Sequence, residues 1–478
     1  MKPNILFIVI DSLRADKCHG EKKTSVTPNI DSLIKNGTYF SQTITHGQST
    51  IPCMSSILTG LYPFESMSQN EDIFVINPKA ETYIENLEEF GYESYALVQE
   101  SLSHMGLDKI FKKNFEMYPV TLKTWTGLDK KIIQRIESFS KDEPWFYYIH
   151  LYDLYIPFNQ QDVKEVNNLD GLYSGDTTYD RMFSAIDESI GKMLENVDQE
   201  KTLIVITADH GHEKGAFTES MENIHQENRK VRKHEPGVGF KIGQKIAHKF
   251  PKSMLPVRKK LAEKYTSKAD EEIKERIKPE IEKIENSELR PYEKRLMKYS
   301  IFPITDLYDD KYVVPVIFSG HNVPRKKMIT QQVQSVDIFP TIAGIIGMNT
   351  SNYGKRGRDL LPIIENDNFD EVPAYIETAT NSIKTQSNNT IGIRTSEYKY
   401  FRDRNEKTKN VHLYDLKSDP LEEYNISEKN EGIIKKMESV LVGILQGDSF
   451  QHSQSDEEFE EEKANVIESE LKRLGYIN

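Results

Sequence analysis

Three apolar runs of this chain end in residues that bind metals or carry protons. "NILFIVI" runs into Asp11, "TLIVITA" into Asp209 and His210, and "PWFYYIH" ends around His150 and Asp153. In parallel α/β sheets, ligands bind beyond the carboxyl ends of the strands, so carboxylates delivered by separate strands converge on one crevice. Two aspartates and an imidazole suit one divalent cation, with Mn2+, Zn2+, Mg2+ and Ca2+ all open. For any single strand-end Asp the plain alternative is a cap on the next helix.

A second stretch, "HGQSTIPCMSSILTG" at residues 46–60, offers three nucleophile candidates: Ser49, Thr50 and Cys53. A hydroxyl is unreactive at its own pKa and needs a metal or a base. It is best placed at a helix N-terminus, where backbone N–H groups and the dipole favour an anion. Pro52 suits a first helical turn, which puts Ser49 and Thr50 at the helix start. A simple N-cap explains the same pattern. Cys53, inside the helix start, reads as a small buried residue.

The elements that position these residues follow from periodicity. The run "NILFIVI" lacks period-2 alternation and reads as a strand buried on both faces of a parallel sheet. "TPNIDSLIKNG" predicts a helix with Pro28 in its first turn and Gly37 after its end. "KAETYIENLEEFGYESYALV" predicts a helix, a glycine stop and a strand. "TTYDRMFSAIDESIGKMLENV" predicts a long amphipathic helix, and "QQVQSVDIFPTIAGIIG" a helix closed by glycine. Alternating strands and helices predict an α/β fold with a doubly wound, mostly parallel sheet flanked by helices, and a smaller C-terminal α+β subdomain. The division expected is a catalytic domain over 1–375, with a charged helical insertion at about 214–300, and a subdomain over 376–478. The latter carries the acidic stretch "SDEEFEEEK" and a terminal helix.

The 478 residues carry a net charge of −13, which argues against nucleic acid as a partner. Mean hydropathy is −0.61, and no apolar run approaches the ~18 residues of a spanning helix. The N-terminal run is too short for a secretory signal and reads as a core strand, and two cysteines form no disulfide framework; both suggest a cytoplasmic protein. Residues 228–264 hold about a dozen lysines and arginines against two glutamates. Within them, "GFKIGQKIAHKF" spaces Ile242, Ile246 and Phe250 at i, i+4 and i+8 beside Lys241, Lys245 and Lys249. That pattern fits a helix lying on the inner, anionic face of a membrane, or a solvated lid helix.

Taken together, these segments resemble the sulfatase branch of the alkaline phosphatase superfamily. The resemblance runs through "IVIDSLRAD", "TPNIDSLIKNGTYFSQ", "TIPCMSSILTGLYP", "ITADHGH", "YVVPVIFSG", "QSVDIFPTIAGIIG", "IRTSEYKYF", "LYDLKSDPLEEYNI" and "LKRLGYI", in order. Aligned on "SILTGLYP", it puts Thr50 at the nucleophile position and Met54 where the motif's arginine stands. Family sulfatases convert Cys or Ser there into formylglycine, which Thr does not permit; phosphodiesterase and phosphotransferase branches use Thr directly. The resemblance implies one divalent metal ion held by Asp11, Thr50, Asp209 and His210. Two-metal relatives carry further histidines, but Tyr155 fills one such position in "YDLYIP" and "IFPITD" lacks another. His212, His225 and His234 are alternative sources of a missing ligand.

The implied activity is metal-dependent hydrolysis of a small phosphate or sulfate ester through Thr50, with Arg14 as an anion clamp or a structural ion pair. His150 and Asp153 are acid/base or substrate contacts. Two alternatives stand beside it. One is a transferase passing a phosphoalcohol group to a glycan or lipid; the other is a degenerate member that only binds anions.

Overall fold

The computed structural model describes residues 2–70, 73–112, 114–140, 143–154, 175–224, 275, 277–301, 306–349, 356–366, 370–378 and 389–447. The basic helix at 239–250, Tyr155, His225, His234, the acidic stretch and the terminal helix lie outside the described residues.

The strands are β1 Asn4–Ile10, β2 Thr38–Ile44, β3 Met67–Asn70, β4 Ile73–Ile76, β5 Glu93–Gln99, β6 Phe115–Tyr118, β7 Trp145–Leu151 and β8 Thr202–Thr207. After the insertion come β9 Val313–Gly320, β10 Lys327–Ile329, β11 Val333–Gln334, β12 Ala374–Glu377, β13 Thr390–Arg394, β14 Tyr398–Asp403 and β15 His412–Asp415. The main sheet runs β10-β2-β9-β8-β1-β7-β5-β6, with β11 on β2. Every pairing is parallel except those of β9, which is antiparallel to β2 and β8. The architecture is thus a mostly parallel, doubly wound α/β sheet.

β1 is central, and its side chains alternate between two cores. Ile5, Phe7 and Val9 enter one, Leu6, Ile8 and Ile10 the other. The first core is covered by α2 Thr50–Thr59, α3 Tyr83–Glu89 and α7 Ile338–Ile346; the second by α1 Pro28–Asn36, α4 Leu128–Glu137 and α5 Thr178–Leu194. The helix starts are specified locally and at long range. Pro28 opens α1, while Asp187 on α5 accepts the Asn29 and Ile30 N–H groups at 3.2 and 2.7 Å. This borrowed cap docks one helix on the other, and such caps contribute about 1 kcal/mol.

The C-terminal sheet, β12-β13-β14-β15, is antiparallel and begins at Ala374. One face packs on α8 Glu431–Leu445 through Met437, Leu441 and Ile444. The other meets Ile44, Leu307 and Tyr312 of the main domain. Lys399, fully buried, crosses this joint to Asp309 and to Glu422 Oε1 at 2.6 Å. Part of the charged insertion forms α6 Pro291–Ile301, which docks through Arg295 to Asp310 at 3.3 Å.

Candidate active site

Asp11 leaves the end of β1, where its N–H donates to Leu151 O at 2.9 Å and so ties it to the end of β7. Ser12 takes φ +68°, and its side chain donates to Asp11 Oδ1 at 2.7 Å. This left-handed residue turns the chain so that the Ser12 N–H reaches Asp209 Oδ1 at 3.2 Å. Asp209 and His210 follow β8, which pairs with β1 on its other edge. Two adjacent parallel strands therefore deliver both carboxylates to one end of the sheet.

α2 begins at Thr50, with Ser49 extended at φ −152° and ψ 163°. The Thr50 hydroxyl donates to Asp11 Oδ2 at 3.1 Å. The N-cap position is held by Ser49, so the Thr50 hydroxyl belongs to the first helical residue and is not the helix cap. At the other end Gly60 closes the helix at φ +71°, and a Cβ there would meet the Tyr83 hydroxyl at 2.6 Å, so only glycine fits.

Asp11, Asp209 and His210 are buried and present one ligand atom each, all within 4.8 Å of one another. His210 donates Nδ1–H to Gly211 O at 2.9 Å, which leaves the Nε2 lone pair bare. Asp209 Oδ2, His210 Nε2 and His150 Nε2 are buried without a hydrogen-bond partner. Three unpartnered polar atoms gathered beside a paired carboxylate fit a cation, whose charge and coordination satisfy such groups. Burial raises both carboxyls, but at Asp11 it is outweighed by His150, His210 and Ser12, which hold that group below its ordinary range. At Asp209 burial and the Asp11 charge prevail and push it up. At His210 burial works downward, yet the two aspartates hold the imidazole above its ordinary value.

His150 on β7 belongs to this cluster. Its Nε2 lies 3.5 Å from Asp11 Oδ2 and 4.0 Å from Asp209 Oδ2, and its Nδ1 meets the Tyr148 hydroxyl at 2.7 Å. Asp153 accepts the Thr124 N–H at 3.1 Å and anchors the turn after β6 to the end of β7. Of the two readings of Arg14, anion clamp or structural ion pair, the structure shows the ion pair. Its guanidinium forms a two-pronged contact with Asp16 at 2.8 Å and an ion pair with Asp310 at 2.5 Å, so the planar fork is filled by carboxylates. His212 is likewise engaged elsewhere, its Nδ1 accepting the Lys214 N–H at 3.1 Å. Cys53 is fully buried within α2, and burial pushes its thiol up, away from a thiolate.

Two residues ahead of Thr50 carry no sequence signal of a role. His46 is fully buried, its Nδ1 donating to Tyr375 O at 2.7 Å on β12, so the C-terminal sheet holds the loop that leads into α2. Gln48 is 9% exposed, and neither atom of its carboxamide has a partner. Polar residues in a loop of this kind have no spacing that reveals them.

The Sulfatase family model matches residues 3–348, and the chain belongs to that family. The model "N-sulphoglucosamine sulphohydrolase, C-terminal" matches residues 297–446. An N-acetylgalactosamine-6-O-sulfatase of Bacteroides thetaiotaomicron is 31% identical over 97 residues, 19% of each chain. The chain spans 32%, 19% and 29% of the length of the curated relatives it matches. Among solved structures, Ps i-CgsB in complex with k-i-k-neocarrahexaose is 18% identical with a TM-score of 0.61, covering 100% of this chain and 99% of that one. Phosphonate monoester hydrolase of Agrobacterium radiobacter is 14% identical with a TM-score of 0.59, covering 93% and 96%. These structures share the fold. Among the described residues no helix is long and apolar enough to cross a membrane.

Proposed function

We propose that this sulfatase-family protein hydrolyses phosphate or sulfate esters through Thr50. The observation that carries the reading is the Thr50 hydroxyl, which donates to Asp11 rather than capping its own helix, beside the converging Asp209 and His210. A divalent cation (Mn2+, Zn2+, Mg2+ or Ca2+) held by Asp11, Thr50, Asp209 and His210 would lower the pKa of that hydroxyl and neutralise an ester oxygen.

Thr50 Oγ forms the new bond to phosphorus or sulfur as the bond to the leaving alcohol breaks, and its proton departs along the hydrogen bond to Asp11. His150, whose Nε2 lies 3.5 Å from Asp11 Oδ2, would pass that proton on to the leaving oxygen, then take one from the attacking water and return it by the same route to Thr50 Oγ. Water releases the inorganic acid and restores the Thr50 hydroxyl. Arg14 is assigned to the structural ion pair, and Asp153 to holding the turn beside β7.

An alcohol in place of water would make the same intermediate a transferase step onto a glycan or lipid, and product analysis with an added acceptor separates the two. The name of the N-acetylgalactosamine-6-O-sulfatase relative supports a small, glycan-linked anionic ester as substrate; a lipid-linked ester is the alternative. The two unpaired, buried thiols of Cys18 and Cys53 support a reducing compartment, the cytoplasm. Contact of the basic insertion with the membrane remains a separate proposal, tested by vesicle sedimentation with and without anionic lipid.

The test is a cation screen crossed with aryl phosphate, phosphodiester and aryl sulfate. Thr50→Ala should abolish cation-dependent turnover while still binding the cation by calorimetry. Full turnover by that variant on all three esters would overturn the mechanism, and absence of any divalent-cation binding would favour a non-catalytic anion-binding role.

A further inference from the structure

The guanidinium of Arg14 is gripped from two directions. Asp16 accepts from Nε and Nη2 at 2.8 Å each, and Asp310 accepts from Nη1 at 2.5 Å. Asp310 is itself a hub. It lies on the turn Asp309–Tyr312 before β9, and α6 of the insertion reaches it twice, through the Tyr292 hydroxyl at 2.9 Å and Arg295 Nη2 at 3.3 Å. Arg14, Arg295 and Asp310 are buried, so solvent screens these contacts little.

The stem of Arg14 lies against the loop that carries His210. A Cβ at Gly215 would meet Arg14 Cδ at 2.6 Å, and one at Gly211 would meet Arg14 Cγ at 3.2 Å and Asp310 O at 2.4 Å. The loop is thus glycine where its backbone passes Arg14. Gly211 N–H donates to Lys311 O at 2.8 Å, and Gly211 O accepts from His210 Nδ1 at 2.9 Å. The Asp11 turn is tied to the same residue through its backbone. Arg14 N–H donates to the Tyr179 hydroxyl at 3.1 Å, and that hydroxyl donates to Ser12 O at 2.8 Å. Ser12 is the left-handed residue whose N–H reaches Asp209. Asp11, Asp209 and His210 therefore all lean on one side chain, although its ion pairs are with Asp16 and Asp310.

We propose that Arg14 is a positioning residue for the cation site, and that Asp310 transmits the docking of α6 to that site. This rests on the reading of Asp11, Asp209 and His210 as cation ligands and is independent of the role of Thr50. The position requires arginine. A lysine keeps the charge but cannot hold Asp16 with two N–H groups and Asp310 with a third. Without the fork the stem leaves the glycines, and the loops bearing Asp11 and His210 lose their common support. Changes in such outer partners cost about 10–100-fold in metal affinity.

The experiment titrates the full chain with Mn2+, Zn2+, Mg2+ and Ca2+ by calorimetry and follows the tightest of the four through a set of variants. Urea denaturation in excess chelator gives the stability of each variant. Arg14→Lys should raise the cation Kd about 10–100-fold. Gly215→Ala keeps every charge, but its methyl presses on a stem pinned at its far end, and should raise Kd about 10-fold. Tyr292→Phe removes one hydroxyl from α6 and should raise Kd about 3-fold. Asp187→Ala, which removes the borrowed cap of α1, should lower stability and leave Kd unchanged. A merely structural Arg14 would behave like Asp187→Ala. Native Kd in Arg14→Lys and Gly215→Ala, or an equal rise in Asp187→Ala, would overturn the positioning role, and native Kd in Tyr292→Phe would overturn the link to α6. If Arg14→Lys does not fold, Gly215→Ala decides. Absence of cation binding by the native protein would instead overturn the reading of the ligands on which the proposal rests.

Discussion

Replacing Asp209 with asparagine should stabilise the cation-free protein while abolishing its response to cations. The ligand oxygens of Asp11 and Asp209 lie within 4.8 Å in a fully buried site. At an effective dielectric of about 20, two unit charges at that separation repel by about 3.5 kcal/mol. Asparagine removes the repulsion and keeps an oxygen for the Ser12 and His210 N–H groups now held by Oδ1. Its amide nitrogen replaces the unpartnered Oδ2 with a donor beside Asp11. Imidazolium charge on His210, which the two aspartates favour, offsets part of the repulsion, so the expected net gain is about 2 kcal/mol. Urea denaturation in excess chelator reads this directly. Adding a cation at about 100 times its Kd should then stabilise the native protein by about 2.7 kcal/mol and leave Asp209→Asn unmoved. A less stable cation-free variant, or an equal cation response in both proteins, would refute the reasoning.

Other expectations follow from single contacts. Burial lowers the His46 imidazole to about 4 in the folded protein, below its ordinary 6.5. The unfolded chain therefore binds the extra proton first, and stability falls as pH drops from about 6.5 to about 4, by about 3 kcal/mol in total. Denaturation midpoints across that range should show a shallower slope in His46→Gln than in the native protein. Lys399→Met leaves the buried Glu422 without its ion-pair partner beside Asp309, which keeps Arg394 at 2.8 Å, and should cost about 3 kcal/mol. A loss like that of the exposed Lys417→Met, near zero by the same assay, would contradict it. Cys53→Ala should keep turnover within a few-fold of native and lose about 1 kcal/mol of stability; loss of turnover in a folded, cation-binding Cys53→Ala protein would restore the thiol as a nucleophile.

Much of the fold could be read from local pattern. β1, β7 and β8 were legible because strands covered on both faces must be apolar throughout. α1, α5 and α7 were legible from their 3.6-residue period and their proline and glycine boundaries. Asp11, Asp209 and His210 could be named because polar residues directly after such strands must fall at one end of a parallel sheet. The sequence by itself thus determined the layer architecture and the list of chemical groups at the sheet's end, since both follow from periodicity and chain order. Only the tertiary structure decided what each group faces. Arg14 meets Asp310 from a segment 296 residues away, His150 lies beside Asp11 because β7 pairs with β1, and His46 is held by a strand of the other sheet. Cys53, read from its place in the helix start as a small buried residue, is fully buried, and Gln48, which has no motif to announce it, is buried with an unpaired amide. These assignments depend on which distant atoms share a buried space, and spacing along the chain carries no such information.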